Sequence, residues 1–123
     1  MTAASHRPAG IHLLADLYGV DAALLVDSGA IDALLRAGAE AAGARILHSH
    51  FHSFGAAMGV TGVVLLAESH ISIHTWPEFG FAAADIFMCG DAHPQLALDL
   101  IERALKATSR IVQTIDRGGA VPL

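Results

Sequence analysis

A single cysteine, Cys89, stands in the 123 residues. One thiol cannot form an internal disulfide, so the chain has no covalent staple and fits a reducing cytoplasm. Charge is scarce as well: charged residues make up 15% of the sequence, with seven Lys and Arg against twelve Asp and Glu. The net charge of −5 excludes the clustered basic surface that nucleic-acid binding needs. It is compatible with a cationic small-molecule substrate. Residues 1–10 hold no apolar core of the kind a secretion signal carries. Apolar runs are no longer than Val63 to Ala67, too short to cross a bilayer. There is no Gly-x-Ser-x-Gly elbow and no short Cys and His spacing of the structural-zinc type.

What is present is apolar. The hydrophobic fraction is 54%, high for one small domain spanning 1–123, with residues 1–9 and 118–123 expected as loose ends. That excess implies surface covered by a partner, most simply a second copy, and hence a homodimer.

Patterning predicts six strands and two helices. Ile11 to Tyr18 reads as a strand. Ile31 to Ala42 carries a helical stripe at Ile31, Leu34, Leu35 and Ala39, with Ser28 as cap and Gly43 as stop. Arg45 to Phe54 alternates, placing Ile46, His48, His50, His52 and Phe54 on one face. Val60 to Ala67 reads as a strand buried on both faces, and Ile71 to Thr75 and Phe81 to Cys89 as further strands. Pro94 opens a second helix, capped by Asp91 or His93, with a stripe at Leu96, Leu100, Ile101, Ala104 and Leu105. Arg110 to Ile115 closes the order. Two helices cannot cover both faces of such a sheet. The expected fold is α+β: a two-layer sandwich, a mostly antiparallel sheet with both helices packed on one face.

The chemistry-bearing residues crowd between Ala67 and Asp91. Ser69, His74 and either Asp85 or Asp91 could be written as a hydrolytic triad, but a hydroxyl in an apolar strand suits that geometry poorly. His48, His50 and His52 share one strand face, and His70 and His74 share a face of the next extended stretch. An imidazole metal site is one reading. Side chains two apart on a strand stand roughly 7 Å apart at the backbone, too spread for three to meet one ion easily. Polar residues on an open sheet face are the other reading, and no metal is expected.

Glu68-Ser69-His70, then His74-Thr75-Trp76-Pro77-Glu78, then Cys89-Gly90-Asp91 resemble, in order and spacing, the prokaryotic S-adenosylmethionine decarboxylase family. The resemblance spans about residues 10–118. It implies a proenzyme that cuts itself between Glu68 and Ser69, with Ser69 as nucleophile and then as a pyruvoyl cofactor that replaces pyridoxal phosphate. It implies His74 as processing base and Cys89 as proton donor. Phe54 would stack on adenine, and Glu78 would meet the ribose or the sulfonium. The family carries a processing serine in a Gly-Val-Ser-Gly setting; this chain reads Gly59-Val60-Thr61-Gly62, so Thr61 supplies the hydroxyl with a methyl added. The implied partners are S-adenosylmethionine, in spermidine synthesis, and a second cleaved protomer, with no nucleic acid and no membrane. Two other functions compete: decarboxylation of arginine or ornithine on the same scaffold, and a non-catalytic histidine-rich domain binding metal or a small ligand.

Overall fold

The computed structural model describes residues 8–119; of the expected loose ends at 1–9 and 118–123, residues 1–7 and 120–123 lie outside them. The order is β1 (Gly10–Tyr18), α1 (Ser28–Ala41), β2 (Ile46–Ser53), β3 (Val60–Leu66), β4 (Ser69–Trp76), β5 (Phe81–Cys89), α2 (Pro94–Leu105) and β6 (Ser109–Arg117). The six strands form one sheet in the order β2-β3-β4-β5-β1-β6, and every neighbouring pair is antiparallel. Helix α1 packs on β2 and β3, α2 on β1 and β5, and the helices on each other. The α+β two-layer sandwich therefore stands as expected.

The core lies between helices and sheet. Leu13, Leu17, Ile71, Ile73 and Ile86 come from the strands, and Ile31, Leu35, Leu98 and Ile101 from the helices, all nearly inaccessible to water. Each strand sends alternate residues to this layer and the rest to the opposite, open face. Burial of β3 on both faces is thus corrected: Val60, Gly62, Val64 and Leu66 are buried, while Leu65 on the open face is 45% exposed. No element of the described residues lies over that side.

Three local expectations also change. Asp27, not Ser28, caps α1, its Oδ1 accepting from the Ala30 N–H at 3.0 Å; Ser28 is already helical. A β-bulge between Ile46 and His48 shifts the β2 register. Ile46 therefore joins Ser49 and Phe51 toward the core, and His48, His50 and His52 stay on the open face. The buried line of α2 is Pro94, Ala97, Leu98, Ile101 and Leu105; Leu96 is 47% exposed and Ala104 is exposed. The cause is a close helix crossing. A Cβ on Gly38 of α1 would stand 3.4 Å from both the Ala97 carbonyl and the Ile101 side chain, so α2 turns this line, not the Leu96 line, toward α1.

Candidate active site

The β3–β4 connection is a tight turn at Ala67 and Glu68. Glu68 has φ +63°, a left-handed backbone that costs a non-glycine residue roughly 1–3 kcal/mol. Ser69 opens β4, and its Oγ accepts the Cys89 backbone N–H at 3.2 Å. The Glu68–Ser69 bond and Cys89 thus lie at one end of the sheet. Gly10 sits beside them without a side chain: a Cβ there would meet Cys89 Sγ at 3.0 Å and the Met88 carbonyl at 2.6 Å.

At the other end of β4, Thr61 and His74 are register partners, with Thr61 Oγ1 and His74 Nδ1 hydrogen-bonded at 3.0 Å. Together with Phe54, Met58, Trp76 and Glu78 they line a cavity of about 300 Å³. Its floor is rigid. Buried Thr75 donates through Oγ1 to the Leu25 carbonyl at 2.7 Å and accepts the Val60 N–H at 2.8 Å.

The residues singled out in the sequence therefore fall into two groups. Glu68, Ser69 and Cys89 form one; Thr61, His74, Phe54 and Glu78 form the other. Ser69 and His74 are five positions apart on one extended strand, a separation of roughly 16 Å at 3.3 Å per residue. Within one protomer, His74 cannot reach the Ser69 α-proton.

Between the two groups lies a cluster that sequence reasoning did not assemble. His12 Nε2 and His70 Nε2 both contact Asp85 Oδ2, at 2.6 and 2.7 Å, and Ser72 Oγ donates to Asp85 Oδ1. Arg117 Nη1 lies 2.9 Å from His12 Nδ1. A guanidinium only donates, so Nδ1 accepts, and His12 carries its proton on Nε2. Phe87 packs against both imidazoles, at ring-centroid distances of 5.4 and 6.0 Å. His12 lies far from the motif in sequence. The antiparallel pairing of β1 with β5 makes the meeting, and no short spacing could have revealed it.

Burial raises the Asp85 pKa, but the hydrogen bonds from Ser72, His12 and His70 outweigh it, with the His70 charge adding to them, and hold it below the ordinary 3.8. A carboxyl depressed in the folded state stabilises the fold above its unfolded pKa, and this contribution is lost as pH falls through the lower folded value. We expect Asp85→Asn to flatten the loss of stability as pH falls below about 3.8. Urea unfolding of both proteins at neutral and at acidic pH checks this; parallel pH profiles would show that Asp85 does not shape the acid limb.

The three potential ligand atoms of His12, His70 and Asp85 lie within 4.8 Å of one another. The Nε2–H tautomer of His12 presents a proton there, not a lone pair, so metal binding would require breaking its bond from Arg117. His48, His50 and His52 are exposed, and His52 stacks edge-on against Phe54 at 4.7 Å.

Residues 11–118 match the sequence model of the family described as S-adenosylmethionine decarboxylase. The S-adenosylmethionine decarboxylase proenzyme of a Sulfurihydrogenibium species is 46% identical over 115 residues, covering 93% of this chain and 85% of that protein. The proenzyme of Caldanaerobacter subterraneus subsp. tengcongensis is 43% identical over 110 residues, covering 89% and 88%. The crystal structure of the adenosylmethionine decarboxylase from Aquifex aeolicus superposes with a TM-score of 0.83 at 42% identity, covering 91% of this chain and 92% of that one. Family model, relatives and fold agree over nearly the whole length, and the chain belongs to the S-adenosylmethionine decarboxylase family.

Proposed function

We propose that this chain is a self-processing decarboxylase of S-adenosylmethionine that acts in the cytoplasm as a homodimer of cleaved protomers, each site combining residues from both. The observation that carries the reading is the split of the site residues. Ser69 with Cys89, and Thr61 with His74, stand at opposite ends of one strand, beside a sheet face on which Leu14, Tyr18, Leu65, Trp76, Ile111 and Ile115 are each 36% or more exposed. Two such faces packed about a two-fold axis perpendicular to the strands set the Ser69 end of one copy against the His74 end of the other. Packed sheets lie roughly 10 Å apart, a gap that side chains from both faces can bridge. The same packing covers the apolar surface that nothing else in the described residues covers.

Processing then follows from the chain's own groups. Ser69 Oγ attacks the Glu68 carbonyl carbon through a five-membered ring. The Glu68–Ser69 C–N bond breaks with the hydroxyl proton passing to the departing nitrogen, and the amide becomes an ester with a free amine at residue 69. The strain of the left-handed backbone at Glu68 favours the break. The Thr61 hydroxyl of the second copy donates to the oxygen that becomes negative. His74, steadied by Thr61, takes the Ser69 α-proton, and the serine Cβ–O bond breaks so that the Glu68 carboxylate leaves. Water displaces the nitrogen of the resulting dehydroalanine as ammonia, leaving residue 69 as a ketone. The resulting pyruvoyl group supplies an electron sink for the loss of CO₂ without pyridoxal phosphate or a metal. Cys89 returns a proton to the substrate carbon. Phe54 offers a ring face to adenine, and Glu78 a carboxylate to the ribose or the sulfonium. The negative net charge favours a cationic substrate.

Substrate choice is read directly by CO₂ release from carboxyl-labelled substrates. Turnover of S-adenosylmethionine, with arginine and ornithine near background, is expected. Faster release from either amino acid would replace the proposed substrate while leaving the chemistry intact.

A further inference from the structure

Cutting the chain removes covalent support at the residue that must be held most firmly. Before the cut, the turn at residues 67–68 ties β4 to β3. Afterwards residue 69 is a chain end, and chain ends fray. On the open face, the first two side chains of β4 beyond it are His70 and Ser72, and both bond to Asp85 of β5. His12 of β1 donates to the same carboxylate, and Arg117 of β6 donates to His12. The bonded path crosses four neighbouring strands and ends one residue from Ser69. It also shares β5 with Cys89, four positions beyond Asp85.

We propose that Asp85 is a positioning residue whose carboxylate clasps the cut end of β4, holding the residue-69 ketone in line with the Cys89 thiol. The inference rests on the reading of Glu68–Ser69 as the processed bond. The clasp acts by geometry. Its carboxylate receives three donors, two imidazole N–H groups and one hydroxyl, and leaves none of them unpaired on a partly buried surface. Misplacing reacting groups by about 1 Å costs on the order of 10²-fold in rate. Before processing, the intact turn holds Ser69 as well, so cutting depends on the clasp less than turnover does.

The test compares full-length wild type, Asp85→Ala, Asp85→Asn and Ser72→Ala. The asparagine amide oxygen can accept both imidazole N–H groups while its NH₂ donates to Ser72 Oγ, so this variant keeps the bonds and drops the charge. Ser72→Ala removes one bond and keeps the carboxylate, which guards against an alanine at 85 that fails to fold. Intact mass reads the fraction cut, and steady-state CO₂ release reads kcat and KM. We expect Asp85→Ala to be cut while its kcat falls on the order of 10²-fold with KM little changed. Asp85→Asn should recover most of that kcat, and Ser72→Ala should fall between. Wild-type kcat in a cut Asp85→Ala protein would overturn the clasp, as would Asp85→Asn turning over as slowly as Asp85→Ala. Loss of wild-type activity on chelation, restored by zinc or manganese and dependent on His12, would overturn it in favour of a metal site. An uncut but active wild type would instead remove the reading on which the clasp rests.

Discussion

Ser69→Ala and His74→Ala proteins, each uncut and inactive alone, should restore cutting and decarboxylation when co-expressed. A site assembled within one protomer needs both residues on one chain, so every chain in the mixture would remain dead. A site assembled across the dimer finds an intact Ser69 from the His74→Ala chain facing an intact His74 from the Ser69→Ala chain. Random pairing makes half the dimers mixed, and each mixed dimer carries one complete site, so roughly a quarter of all sites recover. Only the His74→Ala chain should be cut, and tags of different size on the two chains make this visible on a denaturing gel. The effect runs from background to roughly a quarter of wild type. The geometry behind it is the roughly 16 Å between Ser69 and His74 on an extended strand, a distance that no rotamer closes. Absence of both cutting and activity in verified mixed dimers would mean that β4 rearranges within one protomer.

The fold was largely legible because its signals are local. Alternation through Phe81–Cys89 puts Ala82, Ala84, Ile86 and Met88 in the core and Asp85 and Phe87 on the open face, as the residues read in order. Gly43, at φ +82°, ends α1 where a left-handed residue is needed. Apart from the one-residue shift of the α1 cap, the errors share a different cause: each depended on a neighbour that the local pattern does not contain. The phase of α2 is set by its crossing at Gly38, and the face of Ile46 by an extra residue in β2. The one-sided burial of β3 follows from where the helices lie. The tight turn that places Glu68 in a left-handed conformation was likewise unmarked, since no glycine or asparagine stands there.

For the site, the motif drew attention to Ser69, His74 and Cys89 but not to their grouping. Sequence spacing sets Ser69 close to His74, whereas an extended strand sets them far apart. The Asp85 cluster was invisible because β1 contributes His12 and β6 contributes Arg117 through antiparallel pairing. Of the histidines, the three with regular spacing on β2 are exposed, while the pair that converges comes from two strands that are not sequence neighbours.

The cut at Glu68–Ser69 bears the whole account, and Ser69→Ala isolates it. Ser69 is the residue placed to reach the Glu68 carbonyl through a five-membered ring, so the alanine variant should remain one chain of 12.8 kDa and release no CO₂. Wild type should separate under denaturing conditions into residues 1–68, ending in an ordinary carboxylate, and residues 69–123, lacking an α-amine and resisting stepwise N-terminal sequencing. Their summed mass should equal that of the intact chain plus water minus ammonia, the balance for turning a serine into a terminal ketone. Strand pairing of β3 with β4 and of β4 with β5 should keep both pieces in one native particle. The most direct measurement is therefore the intact mass of freshly purified, active wild-type protein. Two fragments with that mass balance are predicted; a single uncut chain that decarboxylates S-adenosylmethionine would contradict the account.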